Sequence, residues 1–435
     1  MFLNQPDLLQ TAGRRQFVSL ILLSLGLVFS VATQLRLPGF PLGLGELLLL
    51  LWLLTTLIST RTWRNPALAG VLSLTAVGAL LLGAGYFLTS YPAGQSRPPA
   101  LHDTLAYAFS AVLAINYACL SNRHESSLPA ALLWAFLLSA LLALVLGVIA
   151  NENEWSGIDA MYHHSRWQHL SNNPNQFALL ALPLPFLALH LILRQHKKQN
   201  LLVPTIAYLL ALALGLYSQS GALTLAWIGG GLVATLALLR KCSQTFMPTP
   251  AQPPAPHARH IAAMLILLMV AASAWQWRGV AAAISTKLSQ SPELSQSTVR
   301  DDPHEVGLRI DLWRNSLAAI QFSPLTGLGP GAHSGFTKPF AGKEAHNTLL
   351  DWGTQTGLVG MAALAAYLVW LLWQVARRRQ YELMAMLLAL YCFAMFHHVL
   401  RQPLFWIIPL LAWSLALSDM RWHVTARSRQ PVVKG

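Results

Sequence analysis

Apolar runs of about 20 residues recur along almost the whole chain, and that is the length a helix needs to cross roughly 30 Å of hydrocarbon. Of the 435 residues, 54% are hydrophobic and only 10% are charged, where a soluble domain carries about 25%. An ordinary soluble domain is therefore excluded. So is a disordered chain, which needs low hydrophobicity. The expectation is an all-α polytopic membrane protein with twelve spans, near 17–34, 42–59, 67–89, 104–121, 128–149, 175–193, 201–218, 221–239, 260–277, 356–376, 382–398 and 403–419. The first span is read as a retained helix. Its apolar run is too long for a leader, and it continues into Arg36-Leu37-Pro38 without a small-residue cleavage pattern.

A net charge of +13 on a soluble protein would suggest nucleic acid. Here topology explains it without a nucleic-acid partner, because cytoplasmic loops collect Lys and Arg. With the N-terminus in the cytoplasm, 18 of the 29 Lys and Arg fall inside, from Arg14 and Arg15 to Arg377-Arg378-Arg379 and the C-terminal tail. The short outer loops hold only Arg36, Arg97 and Arg401. Both termini are then cytoplasmic. The organisation expected is a bundle over 1–277, an outer loop over 278–355, further spans over 356–419 and a tail over 420–435. A Pro-rich tract, Pro248–Pro256, reads as an extended inner linker. The three cysteines, Cys119, Cys242 and Cys392, form no metal or disulfide pattern.

Two outer segments, about 150–174 and 278–355, exceed what a connector needs, and loops of that length are commonly functional. In the second, Asp302-Pro303-His304-Glu305 reads as a helix start, with Asp as cap, Pro at the first position and Glu three after the cap. Ile310, Trp313, Leu317 and Ile320 then predict one apolar stripe laid against the membrane or bundle. Arg309 lies at its edge, and the helix stops before Pro324. Pro324-Leu-Thr-Gly327-Leu-Gly329-Pro-Gly331 is either a tight turn back to the membrane or a nest of N–H groups for an anion. His346 stands where the loop enters the bilayer. It is either a hydrogen-bonded interface histidine or a proton acceptor titrating near neutrality.

In combination, Arg309-x-x-x-Trp313, Pro324-Leu-Thr-Gly327-Leu-Gly329, His346-Asn347-x-x-Leu350 and Gly357-x-x-Gly360 resemble the signature of the O-antigen ligase and O-antigen polymerase superfamily. A weaker likeness covers Arg166 and Ser171 to Ala178. The resemblance implies a bacterial inner-membrane glycosyltransferase of the membrane-embedded type, with its active site facing the periplasm. Its donor would be a glycan on undecaprenyl diphosphate, and its acceptor the lipid A core or another glycan. No metal or other cofactor is implied. Carried onto these positions, His346 is the base and Arg309 the arginine on the diphosphate. Arg314, Arg166, Asn347, Gly327, Gly329 and Arg401 are candidate substrate contacts. A polymerase shares donor and motif with a ligase. A lipid-linked glycan transporter is the more distant alternative, and no repeated halves favour it.

One departure stands out. Where many members carry an arginine between two middle spans, this chain reads Tyr217-Ser218-Gln219-Ser220-Gly221. Arg166 or Arg401 is expected to supply the missing charge. Of the remaining signals, His163, His164 and His169 cluster without the spacing of a metal site. Trp155 and Trp167 are interface anchors or sugar-stacking rings. His397, His398 and Arg401 are costly at their depth unless they face a cavity, and are read either as structural or as lining a substrate cavity. Glu46 needs a basic partner. Pro183 and Pro185 should kink the sixth span.

Overall fold

A computed structural model describes residues 5–36, 42–56, 65–90, 100–120, 127–152, 161–163, 166–194, 201–243, 256–288, 303–338 and 340–428. Trp155, His164, Arg97, the Asp301-Asp302 cap and most of the Pro-rich tract lie outside the described residues.

The chain is an all-α polytopic membrane protein. Its helices are α1 (Gln5–Phe29), α2 (Leu44–Thr56), α3 (Pro66–Leu88), α4 (Leu101–Leu120), α5 (Leu128–Glu152), α6 (Pro174–Ala181), α7 (Leu184–Arg194), α8 (Leu202–Tyr217), α9 (Gly221–Ser243), α10 (Pro256–Leu288), α11 (Pro303–Phe322), α12 (Thr348–Ala376), α13 (Tyr381–Ala394) and α14 (Pro403–Ser428). Among the described residues, seven helical stretches are long and apolar enough to cross a membrane, with α6 and α7 forming one of them. Four shorter apolar helices and α1 complete the set, so each of the twelve expected spans coincides with helix. Leu80, Phe87, Leu88 and Trp275 are each more than 70% exposed. Such large apolar groups on an outer surface are stable against hydrocarbon, not water.

The sixth span is the bundle's centre, with 89% of its most apolar 18-residue stretch buried. Its prolines do what was expected. The helix breaks between α6 and α7, and the Leu182 carbonyl left at the break accepts from Trp227 Nε1 at 3.1 Å. Glu46 finds its partner in Arg36, whose Nη2 lies 2.8 Å from Oε1. A two-residue antiparallel ladder, β1 (Tyr162–His163) with β2 (Arg166–Trp167), closes the loop before α6.

One expectation is corrected. α10 continues to Leu288, about three turns past the expected end of its span, carried by the helix-favouring Ala281-Ala282-Ala283. α11 covers the predicted helix, and of its apolar stripe Ile320 packs inward while Ile310 and Leu317 stay on the outer surface. Leu312, Asn315, Ser316, Ala319, Ile320 and Ser323 are buried, whereas Ile310 and Leu317 are 44% and 50% exposed. The small and polar side chains let α11 approach α12 closely, so the bulkier apolar residues face outward.

Candidate active site

The site is built where α11 ends, the chain turns, and α12 begins. Asn347 caps α12: its Oδ1 accepts from Leu349 and Leu350 N–H, both at 3.1 Å. That use engages the side-chain oxygen of a residue expected to meet substrate. Ten residues after that cap, Gly357 leaves helical geometry at φ 70° and ψ −174°. The break frees backbone groups, and the 324–329 turn re-pairs them. Leu328 N–H donates to Thr354 O at 2.8 Å, Gly329 N–H to Gln355 O at 3.0 Å, and Leu358 N–H to Pro324 O at 2.7 Å.

This settles what the glycines do. Gly327 and Gly329 adopt φ of 68° and 86°, which glycine tolerates without steric cost. A Cβ on Gly327 would lie 2.4 Å from the Gln355 carbonyl carbon, and one on Gly329 would lie 2.8 Å from Tyr86 Cα. Their N–H groups donate to protein carbonyls, as does that of Gly331 to Gln355 Oε1 at 3.3 Å. The motif is a backbone-to-backbone seam joining α3, the turn and α12. It takes the form of the tight turn of the two readings, and the N–H groups of its three glycines are already engaged.

His346 sits one residue before the cap with φ 52°, a left-handed conformation that a non-glycine residue seldom adopts. Its side chain is 44% exposed, with Nδ1 3.9 Å from Glu344 Oε2. α11 is pinned to the same loop, because Trp313 Nε1 donates to Ala345 O at 2.9 Å. Arg309 lies one turn earlier on that helix, half-buried. His397 is the common neighbour. Its ring centroid is 6.3 Å from that of His346, and it packs 4.6 Å from Phe393. Burial drives the His397 pKa well below histidine's usual value, and the nearby charges of Arg309, His346 and Arg166 push the same way. Arg166 comes from β2, with Nε donating to Ser218 O at 3.1 Å and Nη2 to Asn175 Oδ1 at 3.3 Å. The arginine therefore stands beside Gln219, itself strained at φ 50°.

The other expected contacts are placed differently. Arg314 projects from the outer face of α11, 77% exposed, with Asp311 3.5 Å away. Arg401 Nη1 is 2.9 Å from Asp103 Oδ1, and its Nη2 meets Glu344, so two carboxylates already share its charge. His169 stacks on Phe177 at 5.1 Å, and burial lowers its pKa to about 4, as suits a packed neutral ring. Trp167 packs edge-on against Tyr162.

Sequence reasoning passed over a second set behind the first. His333, at φ 43°, puts Nε2 2.9 Å from Asp103 Oδ2 and Nδ1 3.5 Å from Asp351 Oδ1. His398 Nδ1 lies 3.7 Å from Asp351 Oδ2, and its Nε2 is 3.0 Å from the Tyr107 hydroxyl. Burial alone would lower the His333 pKa; the two carboxylates more than offset it and hold the pKa above the usual value. Burial takes His398 the other way, to about 4, although Asp351 opposes it. The signal available in the sequence was an aspartate just ahead of each of two apolar spans, Asp103 before 104–121 and Asp351 before 356–376, where ionisable groups are costly without partners.

Compared with known proteins, residues 176–365 match the family model described as O-Antigen ligase. The match runs from α6 into α12 and contains Gln219, Arg309, the glycine turn and His346; Arg166, Asp103 and Arg401 lie outside it. A search of curated proteins finds no match.

Proposed function

As a membrane protein of the O-antigen ligase and polymerase superfamily, this chain is, we propose, a glycosyltransferase that moves a glycan from undecaprenyl diphosphate to an acceptor hydroxyl at the periplasmic face of the bacterial inner membrane. The observation that carries this reading is that His346, 44% exposed, lies with its ring centroid 6.3 Å from that of His397, on which the charges of Arg309 and Arg166 also act. An accessible imidazole with two guanidiniums in electrostatic reach of its neighbour suits a reaction that must neutralise a diphosphate and remove a proton.

The acceptor oxygen attacks the anomeric carbon as its proton passes to His346. The bond from that carbon to the diphosphate oxygen breaks, and undecaprenyl diphosphate leaves with the electron pair. A single displacement inverts the anomeric centre. Arg309 is forked onto phosphate oxygens and stabilises the charge that grows on the leaving group. Arg166, beside Gln219, supplies the cation that many family members carry between the two middle spans. It is better suited to this than Arg401, whose charge Asp103 and Glu344 already answer. A ligase is the first reading, with lipid A core as acceptor. A polymerase uses the same donor.

The test is transfer from a purified undecaprenyl-diphosphate-linked glycan to lipid A core by the full-length protein. His346→Ala should lower turnover by about 10²- to 10⁴-fold, the usual worth of a positioned base, with the protein still accumulating in membranes. Wild-type turnover in that variant would overturn the assignment. Carrier lipids from a deletion strain separate the two activities. Long carrier-linked chains mark a lost ligase, and single repeat units mark a lost polymerase.

A further inference from the structure

Resting on the reading of His346 as base, we propose that Asp351 is the positioning residue of the catalytic loop, holding His346 through the two backbone amides that flank it. Ala345 N–H donates to Asp351 Oδ1 at 2.8 Å, and Asn347 N–H donates to Oδ2 at 3.2 Å. One carboxylate thus brackets the one residue between them. That residue has φ 52°, a conformation costing of order 1–3 kcal/mol unless the surroundings enforce it. Asp351 is fully buried, and its helix position is fixed by its own N–H on Asn347 O at 2.8 Å.

The carboxylate is in turn held from behind. His333 stands 3.5 Å from Oδ1 and hands the interaction on to Asp103 of α4, while His398 approaches Oδ2 at 3.7 Å. Arg401 joins Asp103 to Glu344, which faces His346. The catalytic loop is therefore tied to α4 and to the loop between α13 and α14, two elements beyond the stretch that matches the family. Buried charge with this many partners costs the bundle hydration that it must recover through geometry. The geometry recovered here is that of the His346 backbone. Asp351 touches neither donor nor acceptor in this account; it acts through the chain.

The variant Asp351→Asn keeps the shape but not the chemistry, since an amide oxygen can accept from one flanking N–H and its nitrogen repels the other. For the full-length protein in lipid nanodiscs, kcat and KM are measured with an undecaprenyl-diphosphate-linked glycan as donor and lipid A core as acceptor. Asp351→Asn should lower kcat by about 10- to 100-fold, the range seen when a supporting residue is lost, and leave the donor KM within roughly twofold. In the His346→Ala background it should cause no further loss, because residues acting as one unit are not additive. Wild-type kcat in Asp351→Asn, an additive loss in the double variant, or a rise in KM matching a fall in melting temperature would overturn the proposal. Should Asp351→Asn fail to accumulate, His333→Gln decides on the same readouts: a lower kcat at unchanged KM supports the tie, and an unchanged kcat ends it. An inert His346→Ala beside a fully active Asp351→Asn sinks the positioning role alone. A fully active His346→Ala removes the base and the positioning role together.

Discussion

Two buried histidines, each held by carboxylate, sit at opposite ends of this bundle. Where the C-terminal part of α7 meets the start of α13, His190 Nδ1 lies 3.0 Å from Glu382 Oε1, with both side chains at least 94% buried. Both residues are in regular helix, and Arg194 on α7 is close enough for its charge to act with Glu382. At the motif end, His333 lies between Asp103 and Asp351, and its own backbone is left-handed at φ 43°. The first pair joins two helices that would pack in any case. The motif-end set holds loops in conformations that they would not adopt alone. His169, Gln219, His333 and His346 all have positive φ and lie in the connections between helices at this end, whereas at the other end Arg379, in the turn between α12 and α13, is the described non-glycine residue with positive φ. Buried charge by itself therefore does not mark a site. Buried charge that fixes strained backbone beside converging cations does.

Four substitutions probe that contrast, taken from the largest effect down. Arg309→Ala should lower transfer by about 100-fold, equal to some 2.7 kcal/mol of transition-state stabilisation, with Arg309→Lys restoring only part because an ammonium cannot fork. Unchanged kcat/KM would remove the motif end's claim to be a site. Glu382→Ala should do the reverse. It should cost about 2 kcal/mol of stability, as expected when a buried group loses a charged hydrogen-bond partner, read as an earlier thermal transition, while kcat of the folded fraction stays at the wild-type value. A selective loss of kcat there would erase the distinction between the two ends. Gly357→Ala should destabilise by about 1–3 kcal/mol, because its φ is 70° and a Cβ would lie 2.5 Å from the Leu325 carbonyl carbon. Wild-type melting behaviour would show the seam to be looser than described. Arg314→Ala should change stability and transfer hardly at all, within about 0.5 kcal/mol, since its pair with Asp311 is exposed.

Acid should also separate the two faces of the motif-end set. An unfolded chain takes up a proton at His398 near pH 6.5, roughly histidine's unperturbed value. The folded protein resists until about pH 4. Folding stability therefore falls as the pH drops through that window. His398→Gln should flatten the acid limb of a melting-temperature profile. An unaltered limb would mean that another group carries it.

Much of the fold was legible because its signal is local. Apolar length located every span, and Pro183 and Pro185 located the break in the sixth. Spacing within about 55 residues brought Arg309, the glycine turn and His346 into one frame. The packed face of α11 was not legible, since close helix approach favours Ser316 and Ala319 over Ile310 and Leu317, and hydrophobicity alone ranks them the other way. Nor were the partners of the candidate cations. Arg401 meets Asp103 across 298 positions, and Arg166 reaches Ser218 across 52.

The sequence by itself determined that this chain lives in a membrane, where its helices run, and which segment sets Arg309, the glycine turn and His346 in order. Each of those follows from residues near one another along the chain. Tertiary structure alone decided that Asp103 and Glu344 share the charge of Arg401, and what holds His346 in a left-handed turn. Those outcomes depend on side chains brought together from distant helices, where hydrogen bonding in a medium without water leaves few arrangements standing.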